Sequence, residues 1–444
     1  MRDEMLRKIA EAGVVGAGGA GFPTAVKLKA EPEYIVVNGA ECEPLLKVDQ
    51  QLSEIFAGRL LETLDLLVQA LGAKSGIFAL KAKYKTAIAE LEKRIKNHPA
   101  LSLKKLGNYY PMGDEQVLVY ETVGRIVPEG GLPLASGVVV INVETLLNVG
   151  LALEDRPVTE KYVTVAGAVK NPATWRVPVG LKYSALIEAS GGPAVPDPVL
   201  INGGPMMGKV ETDLDSPVTK TSKGIIVLNK DHPWVLSKSR RIEEMMRIGQ
   251  TACCHCMLCT DLCPRYLIGH RLHPDKLMRL ATYNSTCEKD EAATGAFLCC
   301  ECGLCEIACI MSLQPWKLNQ ELKKRMSALG LKNPHHESPA AANQFRPYRQ
   351  YPIPKLIHRL GLSAYEHQDA PLRDYGGKPD ELRLMLRQHL GAPAVAEVQA
   401  GDEVSAGQVL ARPPEGALGA VIHASCQGRV KAVDQNSIII GGEL

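Results

Sequence analysis

The chain has 444 residues, of which 45% are hydrophobic and 23% charged, with a formal net charge of +2. That length exceeds one ordinary core and predicts roughly two to four domains, while the near-neutral balance, with no basic stripe, argues against a nucleic-acid footprint. No apolar run approaches the length of a membrane helix, and thirteen cysteines, eight of them in two tight runs, imply a reducing cytoplasm.

Residues 2–12 read as a short amphipathic helix with Leu6, Ile9 and Ala10 on one side, rather than as a signal sequence. A loop dense in glycine follows, with Gly16, Gly18, Gly19 and Gly21 ahead of Phe22, Pro23 and Thr24. Glycines let backbone N–H groups approach a phosphate, and Pro23 suits the first position of a helix. The loop is not a Rossmann fingerprint, because that motif follows a strand and a helix precedes this one. By itself it reads equally well as a tight structural turn.

Tyr34–Val37 is a buried-strand run ending at Asn38, and 51–72 has helical periodicity through Leu52, Ile55, Phe56, Leu60, Leu64, Leu67 and Leu71. Ile77–Leu80 is a strand, 84–96 a helix with charged faces, and Val138–Val143 a strand leading into a helix near Glu144. This alternation predicts an α/β domain over 1–155 with a largely parallel sheet. Polar residues sit where such sheets bind ligands: Asn38, Glu41 and Glu43 after one strand, Asn142 and Thr145 after another. Gly113, Asp114 and Glu115 form a further acidic loop. Each alone could be an ordinary cap or turn.

Short strands and Gly/Pro turns over 156–235 predict a small α+β module. Residues 240–330 carry the cysteine runs on a helical scaffold, 331–379 is a Pro-, His-, Tyr- and Arg-rich connector expected to wrap the surface, and 380–444 reads as a compact β-sandwich.

The cysteine runs are Cys253-x2-Cys256-x2-Cys259-x3-Cys263, then Pro264, and Cys299-x2-Cys302-x2-Cys305-x3-Cys309, with Ile310 where the motif expects proline. Zinc knuckles pair two cysteines and then leave a longer gap, and disulfides need an oxidising compartment. The spacing is that of bacterial two-cluster ferredoxins, in which the fourth cysteine of each run ligates the other cluster. It predicts two [4Fe–4S] clusters, one on Cys253, Cys256, Cys259 and Cys309, the other on Cys299, Cys302, Cys305 and Cys263. Cys254 and Cys300 break the spacing and read as thiols beside the ligands.

The strings GAGGAGFPT, NGAECEP, YPMGDE and INVETLLNV resemble the flavin- and NADH-binding subunit of respiratory complex I, and more closely the RnfC component of the Rnf electron-transport complex. The order of modules is most similar to the PduS-type cobalamin reductases of propanediol-utilisation microcompartments. The resemblance implies a multidomain α/β chain: an FMN-binding α/β domain, a β-grasp SLBB module, a helical two-cluster ferredoxin-like domain and a C-terminal barrel-sandwich segment. It implies FMN, NADH oxidation, and a place in the cytoplasm or within a bacterial microcompartment. Carried over, Gly16, Gly18, Gly19, Gly21, Phe22 and Lys27 lie along the nucleotide, Phe22 near the nicotinamide and Lys27 on a phosphate. Asn38, Glu41, Glu43, Gly113, Asp114 and Glu115 line the flavin and nicotinamide pocket, and Asn142 and Thr145 hold the ribityl-phosphate end. Cys42 departs from the complex I pattern and is expected to be a buried small residue.

The implied acceptor is cobalamin, with a cobalamin adenosyltransferase as partner. The alternatives are an Rnf-type component that couples NADH and ferredoxin, and a non-enzymatic electron conduit. No corrinoid-binding Asp-x-His-x-x-Gly string is present, and His270 and His273 read as isolated surface or loop residues. At the turn where lipoyl-type domains carry a modifiable lysine, this chain has Cys426-Gln427-Gly428-Arg429.

Overall fold

The computed structural model describes residues 2–283 and 290–441. The first sheet has four strands in the order Leu101–Leu106, Ser75–Lys81, Tyr34–Gly39, Val138–Asn142, all parallel. Strand side chains alternate between faces, and here both faces are covered. Ile35, Val37, Phe78, Leu80, Val139 and Ile141 pack with the helices Arg2–Glu11, Ala57–Leu71 and Val143–Leu153. Val36, Ile77, Ala79, Val138 and Val140 pack with the helix Glu115–Val123. Burial on both sides is why Tyr34–Gly39, Ser75–Lys81 and Val138–Asn142 read as apolar runs, whereas the edge strand Leu101–Leu106 is partly exposed and carries Lys104 and Lys105.

The helix expected over 51–72 is two helices, Val48–Ile55 and Ala57–Leu71, broken at Phe56. The second ends at Gly72 in the left-handed region, φ 66°, where glycine carries no Cβ penalty. After Tyr34–Gly39 the chain adds strands on one side, then returns to place Val138–Asn142 on the other. The carboxyl ends of those two neighbours, with Asn38 opposite Asn142, form the switch point at which α/β sheets bind ligands.

The second sheet has six strands: Leu372–Asp374, Ala173–Pro178, Glu160–Gly167, Gly224–Asn229, Pro198–Asn202 and Lys209–Glu211. Its edge strand, Leu372–Asp374, comes from the expected connector, which also pairs Tyr351–Pro352 with Tyr109–Tyr110 of the first domain. The connector is thus hydrogen-bonded into two sheets and does more than wrap the surface.

The cysteine region packs the helices Ile242–Ala252, Pro274–Thr282 and Pro315–Ala328 around Met245, Leu277, Leu318 and Leu322. The last segment folds as a four-stranded and a three-stranded sheet around a shared core that includes Leu384, Leu410, Ile422 and Ile440. His270, expected as a surface or loop residue, lies outside any helix or strand but is buried, with Nε2 2.9 Å from the Val127 carbonyl. Among the described residues no helix is long and apolar enough to cross a membrane.

Candidate active site

The glycine loop lies over the switch point. Gly16 N–H donates to the Phe22 carbonyl at 3.0 Å, and Ala17 N–H to Thr145 Oγ1 at 2.9 Å. A Cβ on Gly18 would stand 3.0 Å from Asn142 Nδ2, whereas one on Gly19 would meet nothing within 4 Å. A side chain at 18 would push Asn142 aside by a few tenths of an ångström, while the open backbone at 19 fits a loop approached by a ligand such as the FMN phosphate. The far end of the loop is clamped: a Cβ on Gly21, φ 72°, would fall 2.8 Å from Thr221 Cγ2 and 2.9 Å from the Gln388 carbonyl, and the Gly21 carbonyl accepts from Leu390 N at 3.1 Å.

The predicted strand-end residues meet below the loop. Asn38 Nδ2 donates to the Gly113 carbonyl at 2.9 Å. A Cβ at Gly113 would fall 2.7 Å from the Ala40 carbonyl, so only glycine lets the two segments close. Asn142 caps its helix by accepting from Glu144 N at 3.0 Å, and its Nδ2 donates to both Asp49 carboxylate oxygens at 3.1 and 3.2 Å. Lys223, from the second domain, reaches Asp49 at 2.6 Å and Glu41 at 2.8 Å. Burial opposes the Lys223 charge, but Asp49 and Glu41 outweigh it and hold its pKa above the ordinary lysine value. Behind the loop a fully buried pair, Lys161 with Glu144, joins the two domains, and Lys161 also donates to the Ala17 carbonyl at 3.3 Å.

Asp49, Lys161 and Lys223 escape sequence reasoning. They belong to no local motif, and Lys223 lies 174 positions from Asp49. The remaining predicted residues divide. Lys27 pairs with Glu115 at 3.0 Å at a partly exposed lip, and Phe22 is half-buried beside it in the loop. Glu43 turns away from the cleft and accepts from Met206 N and Met207 N at 2.8 and 2.9 Å, and burial pushes its pKa up to about 7. Asp114 caps the helix Glu115–Val123 and pairs with Arg265 of the cysteine region at 2.8 Å. Cys42 is partly buried, and that burial pushes its thiol up to about 12, as suits an inert packing residue.

The two cysteine loops share one backbone. His255 and Met257 have φ 56° and 65°, and the equivalent Glu301 and Gly303 have 59° and 77°. Left-handed residues at matching places turn successive cysteines inward, a conformation that costs a non-glycine residue about 1 kcal/mol or more. Cys253, Cys256, Cys259 and Cys309 line one cavity, with Met278 and Leu313 behind them. Cys263 lies within electrostatic range of Cys299, and Cys305 within range of both. Among the described residues no group of three or more His, Cys, Asp or Glu converges on a single ion. This donor chemistry, soft thiolates in two sets of four, fits iron–sulfur clusters. Glu301 N already donates to Cys299 Sγ at 3.3 Å, the kind of hydrogen bond that tunes a cluster.

A nucleotide cleft at a switch point beside two four-cysteine sites defines an oxidoreductase with flavin and iron–sulfur centres. Consistently, residues 9–151 match the Nuo51 FMN-binding domain, 162–210 the SLBB domain, 252–314 the 4Fe-4S dicluster domain and 365–444 the RnfC barrel sandwich hybrid domain. Cobalamin reductase PduS of Salmonella typhimurium is 43% identical over 441 residues, covering 99% of this chain and 96% of that protein. The chain belongs to the PduS cobalamin reductase family. It is also 35% identical to a component of the Na(+)-translocating ferredoxin:NAD(+) oxidoreductase complex of Acetobacterium woodii, over 60% of this chain and 58% of that one. Among solved structures, an NAD+-reducing [NiFe]-hydrogenase in its H2-reduced state aligns with a TM-score of 0.48 and 20% identity, covering 85% of this chain and 64% of the other.

Proposed function

We propose that this oxidoreductase takes electrons from NADH and delivers them singly to cobalamin, through FMN in the switch-point cleft and two [4Fe–4S] clusters on the cysteine loops. The observation that carries the reading is the likeness to cobalamin reductase PduS over 99% of the chain, which includes the glycine loop and both cysteine runs. When bound, FMN supplies hydride acceptance from NADH and the clusters supply one-electron steps, the exchange that a two-electron donor and a one-electron acceptor require. The balance is NADH to NAD+ and a proton, with two electrons leaving one at a time to the corrinoid cobalt.

In this reading the loop from Gly16 to Gly21 carries the nucleotide phosphate on backbone N–H groups, and Thr145 and Asn142 hold that loop in place from below. Asn38 and Gly113 set the cleft floor, and Phe22 and Lys27 flank the NADH entrance. Glu41 and Asp49 share the one positive charge of Lys223 and present a polar wall to the cleft. Cys253, Cys256, Cys259 and Cys309 hold one cluster, and Cys299, Cys302, Cys305 and Cys263 the other. No side chain is needed as an acid or base, because hydride transfer moves no proton from the protein. The partner implied is an adenosyltransferase that alkylates the reduced cobalt, and the setting a propanediol-utilisation microcompartment.

The test mixes anaerobically reconstituted protein with NADH and follows flavin absorbance and cluster EPR together. Loss of flavin absorbance with growth of the EPR signal, both reversed by cob(III)alamin, is the expected result. Reversal by ferredoxin alone favours an Rnf-type role. Clusters that form while NADH leaves the flavin unchanged defeat the reading and leave an electron conduit.

A further inference from the structure

The flavin-side loop and one of the cysteine loops touch directly. Tyr110 donates its hydroxyl to the Cys302 carbonyl at 2.6 Å, and Asp114 accepts from Arg265 Nη2 at 2.8 Å. Arg265 follows Cys263 by two positions, on the short helical turn Pro264–Leu267 that Cys263 begins. Its side chain is 10% exposed, and its second terminal nitrogen, Nη1, is buried with no acceptor among the described residues. A buried donor without a partner is destabilising, so this nitrogen is poorly explained by the protein alone. Besides Asp114, the sulfurs of Cys263, Cys300 and Cys302 lie within its electrostatic range, as does the buried His270.

We infer that Arg265 is a positioning residue for electron entry. One guanidinium nitrogen anchors on the flavin-side Asp114, and the other donates to the cluster site of Cys263, Cys299, Cys302 and Cys305. That site receives electrons from the flavin, and the site of Cys253, Cys256, Cys259 and Cys309 passes them on. The inference rests on the proposed function and adds an order to it. Burial points the same way: Cys263, Cys302 and Cys305 are buried, Cys302 in one cluster with Tyr110 and Leu46, whereas Cys254 and Cys256 are exposed. A cation and a hydrogen bond to sulfur both favour the reduced, more negative state and so raise the potential of the entry site. Each NADH sends two electrons through it in succession, releasing NAD+ and a proton, to a one-electron corrinoid acceptor.

The test is an EPR-monitored redox titration with dithionite, which needs no NADH, on reconstituted wild type, Arg265→Met and Arg265→Lys. Arg265→Met is expected to keep its iron and to lower the electron affinity of one cluster about tenfold, 59 mV for a one-electron couple, leaving the other unmoved. Arg265→Lys, which retains one charge for Asp114 but not the forked donor, shifts the same signal in the same direction by less. Cys256→Ser, which removes the other signal, identifies the one that moved. In stopped flow with NADH the flavin of Arg265→Met bleaches at the wild-type rate while cluster reduction slows. Unmoved signals, or movement of the signal that Cys256→Ser abolishes, overturn the inference. If Arg265→Met fails to assemble, an unshifted Arg265→Lys overturns it alone. A wild type that NADH cannot reduce defeats the proposed function only, since the dithionite titration still reads Arg265.

Discussion

The Tyr110 hydroxyl donates to the Cys302 carbonyl at 2.6 Å, joining residues 192 positions apart. Tyr110 is 1% exposed, and its ring packs in the core shared by the second domain and the helix Ile353–Arg359. One side chain thus couples the flavin-side loop to a cysteine loop by packing and by hydrogen bond. Tyr110→Phe keeps the ring and strands a buried carbonyl. We expect a loss of about 1–2 kcal/mol in denaturant unfolding, with iron content unchanged.

Lys223 is the shared counter-charge of two buried carboxylates. Lys223→Met leaves Glu41 and Asp49 without a counter-charge, and removing one partner of a buried pair costs about 3–5 kcal/mol. Purified Lys223→Met should melt earlier and retain less FMN. Adding Asp49→Asn should recover part of the thermal midpoint, and failure to recover any would show that the loss is not electrostatic.

Glycines 18 and 19 separate folding from binding. A methyl at 18 meets Asn142 at 3.0 Å, whereas one at 19 meets no protein atom within 4 Å. Gly18→Ala should therefore lower stability and FMN binding together. Gly19→Ala should leave the melting curve in place and weaken FMN binding about tenfold, read by flavin fluorescence on apo-protein. Unchanged affinity in Gly19→Ala would remove the loop from the phosphate site.

Crossed ligation predicts how serine variants group. Cys309→Ser should abolish the same EPR signal as Cys256→Ser, although Cys309 belongs to the second run. Cys263→Ser should group with Cys305→Ser. Grouping by run would instead place each run of four on its own cluster.

Lys220 gives a pH signature. Its ammonium is buried, donating to the Gly13 and Val421 carbonyls at 2.8 and 2.7 Å with no carboxylate, and burial lowers its pKa to about 7. Unfolded, it titrates near the ordinary lysine value, about 10.4. Between those values the unfolded chain binds the extra proton, so stability from this group rises with pH, by up to about 1.4 kcal/mol per unit, and is flat below. The neighbouring His389 and His423 have pKa values lowered by burial, to about 3 for His423, and stay neutral across that window. Thermal midpoints from pH 7 to 10 should show this slope in wild type and lack it in Lys220→Met. Parallel curves would mean Lys220 is charged in the folded state.

Short-range features carried much of this protein in the sequence. The x2-x2-x3 cysteine spacing is legible because the ligands of one loop lie within a few residues, and the left-handed places at 255, 257, 301 and 303 follow from wrapping them inward. Three of the four strands of the first sheet were legible because burial on both faces leaves apolar runs, whereas the edge strand Leu101–Leu106, with Ser102, Lys104 and Lys105 exposed or partly exposed, carries no such run and was missed. What tertiary structure alone decided lies between segments far apart in the chain. It set Lys223 between Asp49 and Glu41, and Lys161 beneath the glycine loop against Glu144. It turned Glu43 out of the cleft toward Met206 and Met207, and drew Leu372–Asp374 from the connector into a sheet edge. It also brought Arg265 to Asp114 across 151 residues. Local spacing expresses itself in backbone geometry that any short segment adopts, whereas a buried charge finds its partner only when several domains have packed and water has been excluded between them.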